Sequence, residues 1–157
     1  MSDIKLNTAL DADQRERYQN TKAIQSLLRE AKTVAIIGLS TEKTKASNMV
    51  ASYLIDKGYD VIPVHPKATE ILGRKAYASL ADIPFPVDIV DIFRPAEEAD
   101  AIVEQAIQNG ARAVWMQLRI INFPAADRAI EAGLQVVMDK CIKMEHGIPT
   151  ADLLIPQ

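Results

Sequence analysis

The chemistry-bearing stretch of this chain is TVAIIGLSTEKTKAS, residues 33–47. An apolar run ends at Gly38, and Ser40, Thr41, Thr44 and Ser47 follow with Lys43 and Lys45 among them. A glycine at a strand end lets the backbone turn close to a bound group. A helix starting just beyond offers unpaired N–H groups and the positive end of its dipole. With hydroxyl donors and two lysines nearby, the turn can cradle a phosphate or diphosphate. The same residues also read as a solvated turn whose Ser and Thr merely cap the helix. A dinucleotide fingerprint has three glycines where this turn has one, so the turn alone leaves both readings open.

The next informative point is the end of the second apolar run, YDVIPVHPKA. An NAD site carries an acidic residue there, accepting hydrogen bonds from the adenosine ribose. This chain delivers Val64, His65, Pro66 and Lys67 instead. A neutral or basic end suits a ligand with phosphate on the adenosine ribose, which both NADP and coenzyme A carry. His65 and Lys67 also read as plain exposed loop residues. Further along, Arg94 precedes a proline-started helix, where a cation can face a phosphate or pair with Glu97 or Glu98. Gln117 ends a strand, where a carboxamide can bond ligand amides or brace a loop.

Positioning these residues requires a particular set of elements. Residues 11–31 read as one helix with Ile24, Leu27, Leu28 and Ala31 on one face. Short apolar runs at 33–37, 60–64, 87–93, 113–117 and 134–139 read as strands covered on both sides. Helical patterns at 47–59, 95–110 and 123–133 alternate with them, and 77–83 reads as a short helix. Two of the helices open on Pro95 and Pro124 and close at Gly110 and Gly133. Strand–helix alternation predicts an α/β fold, a single doubly wound (Rossmann-like) domain with a five-stranded parallel sheet and an N-terminal helix. Ligands of such folds sit beyond the C-terminal strand ends, with the first turn at the reversal of strand order.

Length and composition agree. The 157 residues suit one domain, read here as 1–157 with its core at about 20–146. A net charge of −3 argues against a nucleic-acid partner. No apolar run suits a membrane span, the N-terminus is polar, and the single cysteine permits no internal disulfide. The expectation is a cytoplasmic protein. The tail at 147–157 is expected to pack on the surface or on a neighbouring subunit, which admits a homodimer.

Six segments, VAIIGLS, YLIDKGYDVIPVHPK, ILGRKAYASLADIP, VDIVDIFRPAEE, AVWMQL and GLQVVMDKCIKMEH, occur in this order. Together they resemble the small stand-alone CoA-binding proteins, whose fold is that of the CoA-binding domain of the succinyl-CoA synthetase alpha subunit. The resemblance implies coenzyme A or an acyl-CoA along the C-terminal strand ends. It implies phosphate contacts from Gly38, Leu39 and Ser40 and from Lys43, Lys45, Ala46 and Ser47. It implies that Val64, His65, Pro66 and Lys67 border the adenosine. Phe93, Arg94 and Pro95, with Met116 and Gln117, would line the path of the pantetheine arm. Two departures stand out. The family commonly has Gln-x-Gly after the fourth strand where this chain has Gln117-Leu118-Arg119, and the first turn lacks the proline and arginine of many relatives.

Cys141 follows the fifth strand, which makes it a candidate contact at the ligand end. Its neighbours Ile142 and Met144 predict a small buried residue behind the sheet, inert to thiol reagents. His65 and His146 lack a glycine-rich active-site context, and no Ser/His/Asp, metal-ligand or paired-carboxylate spacing stands out. Asp88 and Asp91, in the third strand, are expected to cap or pair there. The leading expectation is therefore non-catalytic binding of coenzyme A or an acyl-CoA. The alternatives are an NAD(P)-linked oxidoreductase or redox sensor, and an interaction protein with an empty site.

Overall fold

The apolar runs are too short for helices and are bounded by turn residues, so extended chain buries them best. In the computed structural model, which describes residues 10–148, they become strands. These are β1 (Thr33–Ile37), β2 (Asp60–Val64), β3 (Glu70–Ile71), β4 (Arg74–Lys75), β5 (Ile89–Ile92), β6 (Ala113–Met116) and β7 (Gln135–Val137). Five of them form one sheet in the order β2-β1-β5-β6-β7, and all four pairings are parallel. The order reverses between β1 and β5, which opens a crevice at their carboxyl ends.

Among the described residues six α-helices accompany the sheet: α1 (Ala12–Tyr18), α2 (Thr21–Glu30), α3 (Ala46–Asp56), α4 (Ala99–Asn109), α5 (Phe123–Glu131) and α6 (Ile142–His146). One face of the sheet packs Val34, Ile36, Ile89 and Trp115 against Leu27 and Leu28 of α2, Val50 and Leu54 of α3, and Ile142 of α6. The other packs Ala35, Ile62, Val90 and Ile92 against Ile102 and Val103 of α4 and Ala125 and Ala129 of α5. Fully burying one large aliphatic side chain stabilises by about 1.5–3 kcal/mol, so these two layers hold the sheet that carries the crevice. Among the described residues no helix is long and apolar enough to cross a membrane.

Several expectations need correction. The single helix over 11–31 is broken. Asn20 accepts from the Ala23 amide at 2.9 Å and caps α2, because an asparagine serves a helix better at its start than inside it. The break also lets Gln19 donate to the Met138 carbonyl (3.0 Å), tying the N-terminal helices to the end of β7. The helix expected over 95–110 begins as a tight turn at Ala96–Glu98 and becomes α-helical only at Ala99. Strands β5, β6 and β7 are shorter than their apolar runs. The β3–β4 hairpin is absent from the sequence reading. Its turn holds Leu72 at φ 54° and Gly73 at φ 74°, the positive angles that a tight hairpin requires.

The two aspartates expected in the third long strand behave differently, and Asp88 lies just before β5 rather than in it. Asp88 pairs as expected, accepting from the amides of Lys32 (2.7 Å) and Thr33 (3.1 Å). Asp91 does not. It is fully buried, neither carboxylate oxygen has a hydrogen-bond partner, and burial raises its pKa well above the usual carboxylate range. Its register neighbours are Ile36 and Trp115, so its own face of the sheet offers it nothing polar alongside.

Candidate functional site

Gly38 is the hinge of the crevice. Its φ of 89° lies in the left-handed region, and its amide donates to the Val64 carbonyl at 3.1 Å. A Cβ at this position would stand 2.8 Å from Arg94 Cδ and 2.9 Å from the Phe93 carbonyl oxygen. Only glycine satisfies both the angle and the space.

The turn beyond it is braced from within. The Ser40 amide donates to Ser47 Oγ (2.9 Å), the Glu42 amide donates to Ser40 Oγ (3.0 Å), and Asn48 Nδ2 donates to the Ser40 carbonyl (2.8 Å). The hydroxyls therefore shape the turn, and none of them caps α3. The N-cap residue of that helix, Lys45, makes no side-chain cap bond, which leaves the first-turn amides free of a side-chain acceptor. Leu39 is fully buried and anchors the turn from below. Lys43, Lys45 and Ala46 are exposed.

A cleft of about 770 Å³ opens over this turn. Its walls come from Gly38 to Ser40, from Val64, His65 and Pro66 beyond β2, and from Arg94, Glu97 and Glu98 beyond β5. Lys67 is exposed beside it. His65 Nδ1 accepts from the amides of Lys67 (3.0 Å) and Ala68 (2.9 Å). That contact folds the turn and leaves Nε2 to face other partners. The nearest carboxylate in β2, Asp60, lies at the opposite end of the strand, paired with Arg74 at 2.8 Å.

The sequence reading missed a fourth wall, made by Ala78, Ser79 and Leu80 and by Ala101, Ile102 and Gln105 of α4. Residues near 77 reach the cleft because Tyr77 adds to the edge of β2, exchanging backbone bonds with Pro63 and His65 at 2.9 Å each. The one available signal was the short helix expected at 77–83, which forms as a single turn at Leu80–Asp82.

A second cleft of about 350 Å³ lies on the other face of the sheet, at the same end. It is lined by Ala46 and Val50 of α3, by Phe93, Arg94 and Pro95, by Gln117, Leu118 and Ile120, and by Cys141. Arg94 lines both clefts. Its guanidinium makes a two-point contact with the Glu98 carboxylate, at 3.0 and 2.8 Å. That hydrogen bond raises the Arg94 pKa and lowers that of Glu98. In water this exposed pair is weak, so a ligand phosphate can compete with Glu98 for Arg94.

Gln117 is buried, and its Oε1 accepts from the Ile142 amide at 3.1 Å. The loop-bracing role is thus real for half of its carboxamide. Met116, expected beside the pantetheine path, is fully buried in the opposite core layer and lines neither cleft. Strand alternation explains this, since neighbours along β6 point to opposite faces. Cys141 packs against the core layer of α2 and α3 but is only partly buried, not sealed behind the sheet as expected. It is partly exposed at the start of α6 and lines the second cleft. Arg119 sits at φ 68°, with its amide donating to Asp139 Oδ1 at 2.6 Å. The position thus has the left-handed backbone that glycine adopts at least cost, and an arginine holds it here.

Residues 32–147 match the family model described as CoA binding domain. The protein YneT of Bacillus subtilis is 38% identical over 125 residues, covering 80% of this chain and 93% of that one. A solved hypothetical protein from Pyrococcus horikoshii OT3 is 41% identical with a TM-score of 0.78, over 81% of this chain and 89% of that one. The alpha subunit of the ADP-forming acetate–CoA ligase I of Pyrococcus furiosus is 36% identical over 89 residues. That match spans 53% of this chain but 19% of the subunit.

Proposed function

This chain belongs to the CoA binding domain family, and on that premise we propose that it binds coenzyme A or an acyl-CoA without a catalytic role of its own. The observation that carries the reading is the pair of clefts meeting at Arg94. The larger suits the nucleotide. Its Gly38 turn and the uncapped start of α3 suit a diphosphate. The acid-free end of β2 suits a phosphorylated ribose better than the bare diol of NAD. The smaller cleft, apolar with one buried carboxamide, suits the pantetheine arm.

The lack of catalytic work is supported by what the polar side chains already do. His65 Nδ1 is occupied by backbone amides, Ser40 and Ser47 brace the turn, and Arg94 is paired with Glu98. The chain is accordingly read as one binding domain over residues 1–157 in the cytoplasm. Calorimetric titration tests the reading. Coenzyme A and acetyl-CoA should bind saturably, and NAD should give no heat at millimolar ligand. Saturable NAD binding without coenzyme A binding would overturn it.

A further inference from the structure

The smaller cleft holds a thiol that simple binding does not need. Cys141 is partly exposed there, at the start of α6, facing a space walled by Phe93, Pro95 and Leu118. A lone thiol on a surface carries little meaning, but this one has a neighbour with an unanswered bond. Gln117 is 5% exposed and lines the same cleft. Its Oε1 is held by the Ile142 amide, while its Nε2 donates to nothing among the described residues. The residue is buried, yet this donor is not sealed in the core and opens to the cleft, where a ligand carbonyl can accept from it. The Oε1 contact also fixes residue 142, and with it the placement of Cys141.

We propose that Cys141 is a thiol–disulfide exchange site for the disulfide form of the pantetheine-bearing ligand. The inference rests on the binding role given above. A ligand whose diphosphate lies at Gly38 and Arg94 directs its arm past Gln117. The arm carries amide carbonyls for Nε2 and ends in sulfur at the wall formed by Cys141. The exchange balances internally. The Cys141 thiol gives up its proton, and its thiolate attacks one sulfur of the ligand disulfide. The ligand S–S bond breaks as a new Sγ–S bond forms. The departing half leaves as a thiolate and takes up the proton. The ligand disulfide is the oxidant, and a small thiol in excess reverses the step.

Intact-mass spectrometry of the full chain incubated with coenzyme A disulfide tests this. One adduct per chain should form, at least tenfold faster than with glutathione disulfide at equal concentration. Acetyl-CoA, whose sulfur is capped, should slow it. A reducing agent should remove the adduct, and Cys141→Ser should not form it. Equal rates with the two disulfides and no protection by acetyl-CoA would overturn the proposal, leaving only an accessible thiol. So would calorimetric binding of coenzyme A with no adduct, an outcome that leaves the binding role intact. Absence of both binding and adduct would sink the binding role first. If Cys141→Ser fails to fold, protection of the native chain by acetyl-CoA still decides the matter.

Discussion

The two clefts share Arg94 and one end of the sheet, yet they are built in opposite ways. Around the larger cleft the side-chain bonds that shape the turns close over short loops: Glu42 to Ser40, Lys67 and Ala68 to His65, and Ser40 to Ser47. Around the smaller one they span distant segments. Ile142 donates to Gln117, Trp115 to Lys140 and Arg119 to Asp139, across 20 to 25 residues. Local bonds follow from neighbouring residue types and survive small shifts of the sheet. Distant ones require that β6, the loop after β7 and α6 all be in place. The turns of the first cleft are therefore preformed, though Gly38 to Val64 and Tyr77 to Pro63 still join its walls across distant segments, while the second cleft depends on global packing.

The largest expected effect comes from breaking the preformed side. Gly38→Val should reduce coenzyme A affinity at least a hundredfold, since its side chain meets both Arg94 and the Phe93 carbonyl. The left-handed angle should also cost about 1–3 kcal/mol of stability. Titration and denaturation of the folded variant measure the two effects. Unchanged affinity would show that the ligand avoids this turn.

The next concerns the layer beneath the smaller cleft. Asp91, in β5, lies two residues before Phe93, which follows the strand on the same side. Burial holds its carboxyl well above the usual range, so the folded protein keeps a proton that the unfolded chain releases. Its contribution to stability is full below the unfolded pKa, about 3.9, and is lost as pH rises toward the folded value. One such group changes stability by at most about 1.4 kcal/mol per pH unit. Asp91→Asn cannot ionise and should flatten the decline that begins as pH rises above about 4. Identical denaturation midpoints against pH in both proteins would place the titration elsewhere.

The smallest effect should separate the clefts directly. Gln117→Leu removes the acceptor for Ile142 and the free donor, for about 1 kcal/mol of stability and roughly a five- to tenfold loss of coenzyme A affinity. Binding of ADP, which has no pantetheine arm, should not change. An equal loss for both ligands would mean that the two clefts are one coupled site.

The sequence by itself determined the parallel sheet, the turn at Gly38 and the acid-free end of β2. Each rests on the types and spacing of neighbouring residues, and apolar runs ending at turn residues leave the chain few ways to bury them. The resemblance of six ordered segments pointed to Phe93, Arg94 and Gln117 before any geometry was known. The break at Asn20 and the β3–β4 turn at Leu72 and Gly73 rest on local residue types, whereas the wall at Ala78–Leu80 was not legible, because Tyr77 and its partners in β2 meet only after the strands have paired. The same holds for the two residues whose surroundings reversed expectation. Apolar neighbours in sequence suggested a buried Cys141, but the loop after β7 turns it to a cleft. Polar character suggested a paired Asp91, but its register places it between Ile36 and Trp115. A residue's exposure and hydrogen-bond partners depend on which distant segments pack beside it, and that is decided by the tertiary structure.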